Sequence, residues 1–166
     1  MQQRELEKQF EKLLDEHGSL VHKVCRIYAG SSADRQDLFQ DIVIRAWLAF
    51  PRFRGEAKFS TWLYRIAINT AITGVRRKKD PVESYEPDVL PVHYYKDQHE
   101  SEEEERLLQL YTCINLLSPV EKAIIMLYLE EHSYEEMETI LGINQGNLRV
   151  KMNRVKDKLR QLTKSN

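Results

Sequence analysis

Between residues 81 and 105 the chain carries three prolines, nine Asp and Glu against a single lysine, and no apolar stripe of helical period. Proline breaks regular hydrogen bonding and a run of like charges holds a segment extended, so this stretch is predicted to be an extended acidic linker. On either side of it, apolar residues recur at helical spacing and no β-period segment of convincing length occurs. The sequence therefore predicts an all-α protein of two small helical domains, 1–80 and 106–166, joined by the flexible acidic linker 81–105. Units of this size are within the range that folds alone.

In the first domain Leu6, Phe10, Leu13 and Leu14 form one stripe and Leu20, Val21, Val24 and Tyr28 another, with Gly18 predicted to interrupt them. The Gly30-Ser31-Ser32 turn and Asp34 offer loop and N-cap chemistry to a helix that places Leu38, Ile42, Ala46 and Phe50 on one side and that Pro51 stops. PRFRGEAKFS reads as a loop centred on Gly55. TWLYRIAINTAITGVRRKK reads as a further helix ending in four cations, Arg76 to Lys79, which suit a helix C-terminus.

In the second domain Leu107, Leu110, Tyr111 and Ile114 restore a helical stripe. Ser118-Pro119-Val120-Glu121 is a capping box with proline at the first helical position, opening a helix whose Ile124, Leu127 and Tyr128 are expected to be buried. Ser133-Tyr134-Glu135-Glu136 is a second capping box, and Gly142 is a left-handed cap that closes the short helix over Met137, Ile140 and Leu141. Asn144 can cap the last helix, whose apolar residues Leu148, Met152, Val155, Leu159 and Leu162 lie on one side. A short capped helix, a Gly142-Ile143-Asn144 turn and a long second helix make a helix-turn-helix, with Ile143 plugging the angle.

Charge is divided unevenly. Residues 1–80 hold 15 Lys and Arg against 10 Asp and Glu, residues 81–105 hold 1 against 9, and residues 106–166 hold 9 against 7. Within residues 145–166 seven Lys or Arg stand against one Asp, beginning near the start of the last helix, where dipole compensation does not explain them. Such a face releases condensed counterions on meeting a duplex. Its Gln145, Asn147, Arg149, Val150, Lys151, Asn153 and Arg154 are the candidate duplex-reading residues, since Gln, Asn and Arg can pair with base edges.

Other classes find no support. Cys25 and Cys113 form no CxxC pair, and the five histidines show no metal-ligand spacing, so neither a metal nor a cofactor is expected. No Gly-rich phosphate loop, nucleophile elbow or histidine and carboxylate cluster marks an enzyme. No apolar run is long enough to span a bilayer and the N-terminus is too charged for a signal peptide, so a cytoplasmic protein without membrane insertion is expected.

Two stretches together carry a family resemblance. DLFQDIVIRAW followed by FRGEAKFSTWLYRIAINTA resembles the second conserved region of bacterial sigma factors of the sigma-70 family, and SPVEKAIIMLYLEEHSYEEMETILGINQGNLRVKMNRVKDKLR resembles the fourth. With only these two regions joined by a linker, the chain resembles the extracytoplasmic-function (ECF) group. The resemblance implies a factor that binds core RNA polymerase, directs it to particular promoters, and helps open the duplex. An anti-sigma protein that holds it inactive is a further expectation from the family.

Carried onto this sequence, the resemblance assigns Asp37, Gln40, Asp41 and Arg45 to the polymerase contact. Asp37 and Asp41 stand four apart, a like-charge pair that a cationic partner would relieve, although a solvated face with an Asp41–Arg45 pair explains the same residues. For the minus-ten element the candidates are the loop residues Phe53, Arg54, Lys58 and Phe59 with Asn69, while Trp62, Leu63, Ile66 and Ala67 are expected to be core. Cations mixed with flat rings suit phosphates and unstacked bases, and stacking of about 1–3 kcal/mol per base can offset unpairing. Arg76 and Arg77 either touch nearby phosphates or cap their helix. Gln145, Asn147 and Val150 depart from the small residues common at these places in the family, so no minus-thirty-five sequence carries over. The linker either passes through polymerase channels or serves as a tether. The rival reading is a dimeric helix-turn-helix regulator that binds an operator without polymerase.

Overall fold

Gly18 does not divide the first helix. The computed structural model describes residues 1–78 and 102–164, the side chains of 76–78 excepted. In it α1 runs unbroken from Gln2 to Tyr28. A glycine inside a helix costs about 1 kcal/mol relative to alanine. Burial of Phe10 before it and of Leu20, Val21 and Val24 after it offsets that cost, at about 1.5–3 kcal/mol for each side chain fully buried.

The chain divides into two compact units, Met1–Asp80 and Pro81–Asn166. In the first, α1 packs against both α2 (Ser32–Ala49) and α3 (Phe59–Lys78), which also pack on each other. Ser31, not Asp34, is the N-cap of α2, its hydroxyl accepting the Asp34 backbone N–H at 3.1 Å. Arg35 Nε donates to the Ala29 carbonyl at 3.1 Å and so ties the exit of α1 to the first turn of α2. Ahead of Pro51 the helix tightens into a 3₁₀ turn, Phe50–Arg52. Val21, Val24, Ile42, Ala46, Leu63 and Ala67 form the solvent-free centre, while Trp62 and Ile66, expected inside, are only half-buried. Cys25 is buried beside them, and that burial pushes its thiol up to about 11, against the opposing pull of the Arg35 charge.

In the second unit α7 (Gln145–Lys164) packs against α4 (Glu102–Asn115), α5 (Pro119–Leu129) and α6 (Tyr134–Leu141). Glu102 to Glu105, expected in the linker, form the first turn of α4. Glutamate is a good helix former, and its carboxylate is favoured at the positive end of the helix dipole. The rest of the linker, residues 81–101, lies outside the described residues. Leu107 and Tyr111 are exposed, whereas Cys113, Ile114 and Leu117 enter the core.

Caps define the remaining joints. Ser118 and Glu121 make the full capping box that opens α5. At its far end His132 N–H returns to the Leu127 carbonyl and Glu131 N–H to the Tyr128 carbonyl, a Schellman closure with Glu131 in the left-handed conformation at φ 63°. Ser133 then caps α6 by accepting the Glu136 N–H at 3.1 Å, but the Glu136 carboxylate lies 2.8 Å from His132 Nδ1 and does not complete a box. Gly142 closes α6 at φ 70°, and Asn144 Oδ1 accepts the Asn147 N–H at 2.8 Å to open α7. Tyr128, expected inside, is 40% exposed.

Lys158 on α7 bonds Glu121 Oε1 at 2.8 Å, which pins the last helix to the start of α5. Partial burial pushes the Glu121 carboxyl up, but hydrogen bonds from Lys158 and Ser118 and the Lys158 charge together hold it below the usual value. A carboxylate lowered on folding adds stability above its unfolded pKa of about 4.3 and loses it as pH falls through the folded value. Thermal melts should therefore show the second unit weakening below about pH 4.5, and Lys158→Ala should shrink that dependence. Since Lys158 is 55% exposed, its removal should cost no more than about 1 kcal/mol at neutral pH.

Candidate nucleic-acid interface

The helix-turn-helix puts its polar face outward because Leu148, Met152 and Val155 hold the opposite side of α7 in the core, each 0% exposed. Asn147, Arg149, Val150, Lys151, Asn153 and Arg154 are all exposed, and Gln145 is half-buried in the first turn. Six of the seven predicted duplex-reading residues are thus open to solvent on α7. Not every cation of α7 is available to a duplex. Lys158 is drawn to Glu121, and Arg160 lies 3.3 Å from Asp157.

Two cations of α7 rest on rings from other helices. The Arg149 guanidinium carbon lies 5.1 Å from the Tyr134 ring centroid, and Lys156 Nζ lies 4.4 Å from that of Tyr128. Both distances are within the range where the negative ring face attracts a cation, worth about 0.5–1 kcal/mol at exposed sites. Tyr128, outside the core, thus presents its ring to the Lys156 ammonium.

In the first unit, an aromatic cluster organises the turn between α2 and α3. Phe10 packs on Trp47 and Phe50 at 5.3 and 5.2 Å between centroids; Phe53 packs on Trp62 at 5.1 Å and on Phe59 at 5.7 Å. Phe59 is not a loop residue: it is the first residue of α3 and 7% exposed, so it props the loop from beneath and cannot reach a base without leaving the core. Phe53 is half-buried in the same cluster, and Arg54 and Lys58 are exposed around Gly55, which takes φ 73°. Asn69 is exposed on α3. Arg65, also exposed and one turn before Asn69, shares its face and escaped the sequence reading, although the i, i+4 spacing points to it. Arg76 and Arg77 fall in the last turns of α3, but their side chains lie outside the described residues.

Asp37, Gln40, Asp41 and Arg45 are exposed on α2. Among the described residues no ion pair joins Asp41 to Arg45. Ile44 and Leu48, at 56% and 71% exposure, extend the same face at helical spacing. They too were missed, since periodicity reads an apolar residue as core.

Comparison with known proteins then joins these features. Residues 13–80 match the family model for Sigma-70 region 2, and residues 107–159 match that for Sigma-70, region 4. The ECF RNA polymerase sigma-E factor of Escherichia coli (strain K12) is 30% identical over 149 residues, which cover 82% of this chain and 78% of the relative. The chain belongs to the ECF group of RNA polymerase sigma factors. The sigma factor is also 27% identical to the ECF RNA polymerase sigma factor SigW of Bacillus subtilis (strain 168) over 164 residues, covering 92% of this chain and 87% of SigW. Its fold is shared with the sigma factor RpoE solved with the anti-sigma factor NepR from Bartonella quintana, with a TM-score of 0.74 at 21% identity over 95% of this chain and 98% of that one. It is shared as well with CnrH, solved with the cytosolic domain of CnrY, with a TM-score of 0.68 at 19% identity over 96% and 90%. Among the described residues of the sigma factor, no helix is long and apolar enough to cross a membrane, and no group of three or more His, Cys, Asp or Glu is arranged to hold a metal ion.

Proposed function

We infer that this ECF sigma factor binds core RNA polymerase and directs it to particular promoters, reading double-stranded DNA with its second unit and separated strands with its first. The observation that carries the reading is the presence, in one chain and in order, of a region 2 match with an exposed acidic helix and a region 4 match with a cationic helix-turn-helix. Polymerase engages α2 through Asp37, Gln40, Asp41 and Arg45, and Ile44 and Leu48 add apolar area to that contact. The minus-ten element meets Arg54, Lys58, Arg65 and Asn69, with Phe53 offering a ring edge to an unstacked base; Arg76 and Arg77 touch adjacent phosphates. The minus-thirty-five element meets Gln145, Asn147, Arg149, Val150, Lys151, Asn153 and Arg154.

The protein works in the cytoplasm, performs no catalysis itself, and needs no cofactor or metal. An anti-sigma protein keeps it inactive, as supported by its likeness in fold to the sigma factor RpoE solved with the anti-sigma factor NepR. The dimeric-regulator alternative would leave the region 2 match and the α2 face without work.

Run-off transcription with purified core polymerase on genomic promoter fragments tests the proposal. Discrete transcripts that require the added chain, and whose yield falls steeply with salt, are the expected result. A folded preparation that neither associates with core enzyme nor yields promoter-specific transcripts would refute it.

A further inference from the structure

We propose that Tyr134 is a positioning residue for sequence reading: its ring seats the Arg149 guanidinium before DNA arrives. The inference rests on the proposal that α7 reads duplex DNA, and it concerns how one of its side chains is made selective. Arginine discriminates a base by presenting a planar fork to two acceptors on one edge, so its orientation matters as well as its charge. A long exposed side chain samples many rotamers and must lose that freedom on binding. Stacking on a fixed ring removes part of the loss beforehand.

Tyr134 is suited to be such a ring. It is the first residue of α6, directly after the Ser133 cap whose hydroxyl holds the Glu136 N–H at 3.1 Å, so its backbone is anchored. It is half-buried, and Arg149 lies 5.1 Å above its centroid. Tyr128 and Lys156 provide a contrast within the same unit. Lys156 lies on the same flank of α7, seven residues on, and rests 4.4 Å above the Tyr128 ring. An ammonium is a point charge without a fork, so that seat affects attraction to phosphate and not the choice of base.

Holoenzyme formed from the full chain and core polymerase would be used to select from a random-sequence duplex library, and preference at each base pair read from the enriched pool. Arg149→Ala should abolish the preference at one or two upstream base pairs. Tyr134→Leu should reduce the same preference about two- to five-fold while leaving the salt dependence unchanged. Tyr134→Phe, which retains the ring face, should behave as wild type, and trifluorophenylalanine at position 134, which keeps the shape but drains the face of charge, should behave as Leu. Tyr128→Leu should weaken all sequences alike. The fluorinated variant preserves packing, so the test survives even if the Leu variant misfolds. Full preference with the fluorinated ring, alongside loss in Arg149→Ala, overturns the inference and leaves the duplex-reading role of α7 standing. Unchanged preference in Arg149→Ala overturns the inference by removing Arg149 from the residues that read the duplex.

Discussion

Replacing Asp41 by lysine should lower affinity for core RNA polymerase by about a hundred-fold or more, with the fold intact. Asp41 is exposed, so the change removes no packing, and its neighbours one turn away on α2 are Asp37 and Arg45. The substitution turns a face with two negative charges and one positive into one with the balance reversed. Juxtaposing like charges across a contact costs several kcal/mol, and each 1.4 kcal/mol is tenfold in affinity. Titration of fluorescently labelled chain with core enzyme reads the loss, and circular dichroism with thermal melting checks the fold. Asp41→Asn should be intermediate. Wild-type affinity in the lysine variant would remove α2 from the polymerase contact.

The second large effect concerns stability. Leu148 is completely enclosed between α7 and its supports, and truncating such a leucine to alanine costs about 2–5 kcal/mol. A unit of some sixty ordered residues has only about 3–9 kcal/mol in total at the usual 0.05–0.15 per residue. Leu148→Ala should therefore bring the helix-turn-helix close to unfolding and abolish promoter-specific transcription. Hydrogen exchange should show amide protection in α5, α6 and α7 falling about thirty-fold or more while that in α1, α2 and α3 is unchanged. Equal loss in both units would mean that they do not fold independently.

What could be read from the residues alone follows the range of the forces involved. The caps at Ser118, Ser133, Gly142 and Asn144 act within four residues of themselves and were legible as local patterns. Glu131 was not, because a glutamate carries no turn signature; the Schellman closure of α5 places it in the left-handed conformation. Glu102 to Glu105 were read as linker because they continue an acidic, proline-containing stretch without an apolar stripe, although their charge is favourable in a first helical turn. Phe59 was assigned to a loop because an aromatic beside cations suits either DNA or core, and only the cluster around Trp62 separates the two. In the interface, Arg, Lys, Asn and Gln along α7 were legible from composition and period. The ring beneath Arg149 was not, since Tyr134 lies fifteen positions away on another helix and meets it only through tertiary packing.

The only two cysteines, Cys25 and Cys113, are both buried, one in each unit. An alkylating reagent attacks thiolate, and neither sulfur is within its reach while its surroundings stay closed. Each thus serves as a clock: the rate at which a maleimide consumes Cys25 reports opening of the N-terminal bundle, and the rate for Cys113 reports opening beneath α7. By the same reasoning, peroxide should oxidise either cysteine only as fast as the unit around it opens.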